Sequence, residues 1–195
     1  MVETWFPTLI YKENLSGFDN KLISSYCEGI RDKFPAKHQW RCNTYSSLSS
    51  EYDILKDEYF TSLVTTIANK VGEFSQSYGM GNCDVHATDG WINIAEHGAY
   101  QEYHVHTNNH FSAVYYVSTP EDCGNICFRS HEANFDMFPL NTKTHNENTF
   151  KTTSYKPVES NLLIFRSNLL HMVEMNNSTN NRISISMNFI VRQYE

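Results

Sequence analysis

The clearest pattern in the chain lies near its end. From Arg182 to Phe189 polar and apolar residues alternate without a break, with Arg182, Ser184, Ser186 and Asn188 in one set and Ile183, Ile185, Met187 and Phe189 in the other. Side chains along a strand point alternately to its two faces, so this segment predicts a strand with one polar and one apolar face. Two orientations stay open. The polar face can look into water, or, in a sheet covered by helices, it can look into a ligand cavity while the apolar face lies under the helices. Further strands are predicted at Trp91 to Ala95, Tyr100 to His106, Ser112 to Val117, Ile126 to Arg129, Asn161 to Phe165 and His171 to Met175, with the last running from Arg182 to Val191. Turn signals separate them: Asp89-Gly90, His97-Gly98, Thr119-Pro120 with Cys123-Gly124, and the run from Asn176 to Asn181.

The first 80 residues have a different period. Leu22, Ile23, Tyr26, Ile30 and Phe34 recur at helical spacing between Phe18 and Phe34, with Asp19 or Ser16 as the cap and Pro35 as the stop. A second helix is expected from about Asp53 to Tyr78, where Leu55, Tyr59, Leu63, Ile67, Val71, Phe74 and Tyr78 form one stripe and Gly79 follows. An apolar stripe needs a surface to cover. Two helices followed by many short strands predict a mainly β, α+β domain: a jelly-roll over 84–195 with helical support from 1–80, the whole of 1–195 forming a single domain. The segment from Ser130 to Ser160 is polar and too long for a simple connection, which suits a lid or a mobile excursion.

Composition narrows the function classes. The net charge is −7, from 15 Lys and Arg against 22 Asp and Glu, with no basic cluster, so a nucleic-acid partner is not expected. No stretch reaches the roughly 20 apolar residues of a membrane helix, and the start lacks the layout of a signal peptide. Five cysteines, an odd number without redox or zinc spacing, read as reduced thiols in a cytoplasmic protein.

The candidate chemistry lies in the strands. His104 and His106 stand two apart, so alternation sends both imidazoles to one face, within reach of one metal ion. His171 opens another strand after the buried run Leu162 to Phe165. Eleven positions later comes Arg182, and Ser184 shares its face. An inward guanidinium makes a fixed fork for a carboxylate, and the serine adds a hydroxyl. Metal ligands beside a carboxylate clamp suit a chelating keto acid.

The order HxH, distant His, Arg-x-Ser resembles the 2-oxoglutarate/Fe(II)-dependent oxygenase superfamily. Trp91-Ile92-Asn93, Ser112 to Val117, Pro157 to Phe165, His171-Met172-Val173, Arg182 to Asn188 and the opening Trp5-Phe6-Pro7-Thr8 are similar to one group of small members. The resemblance spans nearly the whole chain except Ser130 to Ser160. It implies a double-stranded β-helix with Fe(II) held by His104, His106 and His171. Arg182 and Ser184 would hold the distal carboxylate of the cosubstrate 2-oxoglutarate. The implied reaction consumes O2, decarboxylates 2-oxoglutarate and hydroxylates a C–H bond of a small-molecule or peptide/protein substrate; no catalytic residue beyond the metal ligands is implied.

One departure stands out. The usual triad is two histidines and a carboxylate, and here His106 stands where the carboxylate belongs. Glu102, on the face of His104, and His110 are the alternative ligands. A cupin-like jelly-roll with other chemistry, or an inactive binding or structural domain, are the competing functions. Asn93, Trp91, Tyr115 and Ala113 stand on strand faces beside the motif, whereas His38, His86, His97, His131 and His145 lie outside it.

Overall fold

The computed structural model describes residues 1–37, 42–134 and 140–194. Ten strands and two helices follow the chain order β1 (Ile10–Asn14), α1 (Asn20–Lys33), β2 (Thr44–Ser46), α2 (Thr61–Ser75), β3 (Cys83–Ala95), β4 (Gln101–His104), β5 (Phe111–Ser118), β6 (Ile126–Arg129), β7 (Thr152–Tyr155), β8 (Asn161–Arg166), β9 (Leu170–Val173) and β10 (Arg182–Gln193). The strands form a six-stranded sheet ordered β1-β8-β5-β10-β3-β2 and a four-stranded sheet ordered β4-β9-β6-β7. All pairings are antiparallel. This is the expected mainly β jelly-roll.

The alternation in β10 decides the layering. Ile183, Ile185, Met187 and Phe189 join one buried cluster with Ile23, Cys27 and Ile30 of α1 and Leu63, Ile67 and Val71 of α2. The apolar face therefore lies under the helices, and the polar face looks into the space between the sheets. Phe111, Ala113 and Tyr115 of β5 follow the helical side. Val114 and Tyr116 meet Ile126 and Phe128 of the smaller sheet in a second cluster. Burying an Ile or Leu side chain contributes about 1.5–3 kcal/mol, so a one-residue slip of β10 would forfeit several such terms at once.

Local chemistry explains where the elements differ from expectation. Helix α1 is capped by Asp19, whose carboxylate accepts from the backbone N–H groups of Lys21 and Leu22. The second helix was expected from Asp53, yet two 3-10 turns (Ile54–Lys56, Glu58–Phe60) precede α2. Asp53 and Asp57 accept from the N–H groups of Leu55 and Tyr59 and so restart the chain at each turn. Gly79 ends the helical region in the left-handed conformation, φ 75°.

The Asp89-Gly90 pair is not a turn but lies inside the thirteen-residue β3. Asn188 pairs with Asp89 while Phe189 pairs with Ala87, leaving Thr88 as the extra residue of a β-bulge. Gly90 is required there because a Cβ would stand 2.8 Å from Ile54 Cγ2. Short polar strands β1, β2 and β7 were not anticipated; β7 occupies part of the segment expected to be irregular.

Candidate metal centre

His104 ends β4 and stands directly across from His171 in the β4–β9 ladder. His106 lies just beyond the strand, where its N–H donates to the Ser167 carbonyl at 2.8 Å. Strand alternation alone therefore does not aim it; the Ser167 anchor does. The three imidazoles converge, each offering one nitrogen within 4.8 Å of the others. Their ring centroids are 4.2 Å (His104–His171), 5.1 Å (His104–His106) and 5.2 Å (His106–His171) apart.

The rings are held from behind. His104 Nδ1 bonds the Glu102 carbonyl at 2.7 Å, and His171 Nδ1 bonds the Leu169 carbonyl at 2.8 Å. A carbonyl can only accept, so each Nδ1 carries the proton and each Nε2 keeps its lone pair. Phe165 packs edge-on against His171 at 4.7 Å, and Trp91 lies 5.4 Å from His106. Burial pushes the His171 pKa down to about 3 and that of His106 down to about 4, and lowers that of His104, with neighbouring imidazoles adding to the effect on His106 and His171. All three rings are thus neutral near pH 7, the form that binds metal. The set fits a first-row divalent ion such as Fe(II).

The alternative ligands are not brought in. Glu102 is exposed, and only its backbone carbonyl serves His104. His110 is exposed and its Nδ1 accepts from the Val191 N–H at 3.0 Å. His86, His97, His131 and His145 are exposed, and His38 lies outside the described residues. Among the described residues, the only acid, Cys or His cluster able to hold a metal is the one formed by His104, His106 and His171.

The imidazoles border a cavity of about 290 Å³ between the sheets. Arg182, Ser184, Ser186 and Asn188 of β10 line it, as do Trp91 and Asn93 of β3. Arg182 is 5% exposed and is the only ionised side chain among the described residues of the lining. Its Nη1 donates to the carbonyls of Cys123 and Glu174, yet among the described residues no carboxylate pairs with it. A buried guanidinium without a counter-ion invites an anion. Tyr116 lies beside it, 3% exposed, with a phenol raised in pKa by burial and no hydrogen bond from its hydroxyl to a described residue. Tyr115, the tyrosine weighed from the sequence, turns to the helices and bonds Asn20. Consecutive tyrosines on a strand must face opposite ways, and only the layering tells which one faces inward.

This jelly-roll gathers around one cavity three imidazoles able to hold a metal ion and a buried guanidinium with no carboxylate partner among the described residues. Residues 89–188 match a family model of 2OG-Fe(II) oxygenases, and the chain belongs to that family, whose cofactors are Fe(II) and 2-oxoglutarate. No curated protein matches the sequence. Among solved structures it is similar to the non-heme α-ketoglutarate-dependent carbocyclase SnoK of nogalamycin biosynthesis, at 11% identity and TM-score 0.66, covering 93% of this chain and 79% of that one. It is likewise similar to a Pseudomonas putida prolyl-4-hydroxylase, at 13% identity and TM-score 0.61, covering 93% and 92%. A third is a Trichoplax adhaerens prolyl hydroxylase in complex with a hypoxia inducible factor peptide fragment, at 15% identity and TM-score 0.60, covering 93% and 83%. At such identities these likenesses show the fold.

Proposed function

We propose that the protein is an Fe(II)/2-oxoglutarate-dependent dioxygenase that hydroxylates a C–H bond of a small-molecule or peptide/protein substrate. The observation that carries this reading is the sharing of one cavity by three convergent imidazoles and the buried guanidinium of Arg182, which has no carboxylate partner among the described residues. His104, His106 and His171 are the ligands. Arg182 takes the distal carboxylate of 2-oxoglutarate as a charge-assisted, forked pair, with Ser184 as a second donor and the Tyr116 phenol as a third. Held by these three imidazoles, Fe(II) would be chelated by the keto acid end of 2-oxoglutarate and would supply the O2 chemistry by which 2-oxoglutarate, O2 and a C–H bond become succinate, CO2 and C–OH.

The residues of the chain do the rest. Backbone carbonyls of Glu102 and Leu169 hold the Nδ1 protons of His104 and His171 and so aim their Nε2 lone pairs. Phe165 and Phe128 pack on His171 and keep water from its far side. Substrate enters on the side of Leu48 and Val105, which line the cavity and are half exposed. We read 1–195 as one oxygenase domain, and place it in the cytoplasm because all five thiols are free.

Anaerobic Fe(II) with 2-oxoglutarate should give a weak metal-to-ligand absorption band in the visible. A colourless mixture at saturating concentrations of both would reject the reading.

A further inference from the structure

His106 is not held like its two partners. Its Nδ1 lies 3.4 Å from Asn188 Nδ2, an amide nitrogen rather than a carbonyl oxygen. The direction of that amide is fixed by its other contacts. Asn188 Nδ2 donates to Asp89 Oδ1 at 2.7 Å, and Asn188 Oδ1 accepts from the Ser112 hydroxyl at 2.7 Å. Asp89 as a carboxylate can only accept, so the amide cannot be turned without setting two oxygens against each other. The second hydrogen of Nδ2 therefore faces His106. Ser112 is itself tied to the Ser167 hydroxyl at 2.9 Å, and the Ser167 carbonyl holds the His106 N–H. Asn188 and Ser112 are both buried. Nδ1 of the third imidazole thus meets a side chain, whereas Nδ1 of each of the other two meets main chain.

We propose that Asn188, oriented by Asp89, is a positioning residue for His106, and that it weakens His106 as a ligand relative to His104 and His171. An amide N–H presented to Nδ1 favours the proton on Nε2, so ligation through Nε2 requires the Asn188 amide to turn over against Asp89. This rests on the metal reading above. It also gives the triad's missing carboxylate a place: Asp89 sits one side chain away from His106, behind Asn188, instead of on the metal.

The test exchanges the two groups. In the double variant Asp89→Asn/Asn188→Asp the amide–carboxylate hydrogen bond and the Ser112 contact are kept, but a carboxylate now accepts from His106 Nδ1–H. Outer partners of this kind change metal affinity by about 10- to 100-fold. The variant should bind Co(II), titrated alone, about 10- to 100-fold more tightly than wild type; a merely structural contact gives no gain. Nitrogen-15 spectra of the histidine-labelled apoprotein should show the proton on Nδ1 for His104 and His171 and on Nε2 for His106, the last reversing in the double variant. Unchanged or weaker Co(II) binding by the folded variant, or wild-type His106 with its proton on Nδ1, overturns the proposal. A wild type that binds no Co(II) sinks the metal reading instead, and the nitrogen-15 spectra still decide the role of Asn188.

Discussion

His104 and His171 are register partners across the β4–β9 ladder, with ring centroids 4.2 Å apart, and each is pinned through Nδ1 to the carbonyl two residues earlier. The pair is therefore built by strand pairing, and its lone pairs are set before any metal arrives.

Replacing His171 by Ala removes one arm of that pair and empties its place in the buried wall beside Phe165. Stoichiometric metal should be lost after dialysis, read by metal analysis, with Co(II) affinity down by two orders of magnitude or more, on the order of 3 kcal/mol. Retention of one equivalent of tightly held metal would point to other ligands.

Arg182→Ala separates cosubstrate from metal. Removing the buried cation should weaken 2-oxoglutarate binding by about 2–4 kcal/mol, roughly 30- to 1,000-fold, while Co(II) affinity holds. Calorimetry with each ligand in turn measures both. An equal fall in metal affinity would make Arg182 a prop for the Cys123 and Glu174 carbonyls only.

The pH dependence has a definite sign. The His171 pKa is lowered to about 3 and that of His106 to about 4 by burial, against about 6.5 in an unfolded chain. Between those values the unfolded state binds more protons, so the apoprotein loses stability as pH falls below about 6.5 and continues to lose it down to the folded values. For His171 the loss approaches about 1.4 kcal/mol per pH unit. Melting temperatures of the apoprotein should hold nearly level from pH 7.5 to about 6.5 and fall from there to pH 4.5; a flat profile throughout would contradict the burial of these rings.

Gly124 supports the cavity from outside. It adopts φ +80°, and a Cβ there would stand 2.5 Å from the Glu174 carbonyl oxygen, next to the Cys123 carbonyl that receives Arg182. Gly124→Ala should destabilise the fold by at least about 1 kcal/mol and also weaken 2-oxoglutarate binding, seen in a thermal melt and a titration. A variant that loses stability but binds normally would uncouple this turn from Arg182.

Much of this was legible in the residues themselves. The β10 alternation showed that one face is polar, but only the helices packed on Ile183 and Ile185 turned Arg182 inward. Order and spacing single out His104, His106 and His171, and the structure brings their rings together; what anchors the His106 backbone is Ser167, a long-range contact with no local signature. Tyr115 and Tyr116 are adjacent aromatics, and the sequence gives no clue to which of them lies on the inner face of the sheet. The Asp89-Gly90 pair resembled a turn because turn chemistry and a bulge draw on the same residues. Strand β1 carries Lys12 and Glu13 within five residues, too polar and short for periodicity to detect.

The imidazole pair belongs to the smaller sheet and Arg182 to the larger one. On the proposed binding mode the gap across the sandwich, close to 10 Å in such folds, acts as a gauge of chain length. On that mode, keto diacids one methylene shorter or longer than 2-oxoglutarate would bridge it less well.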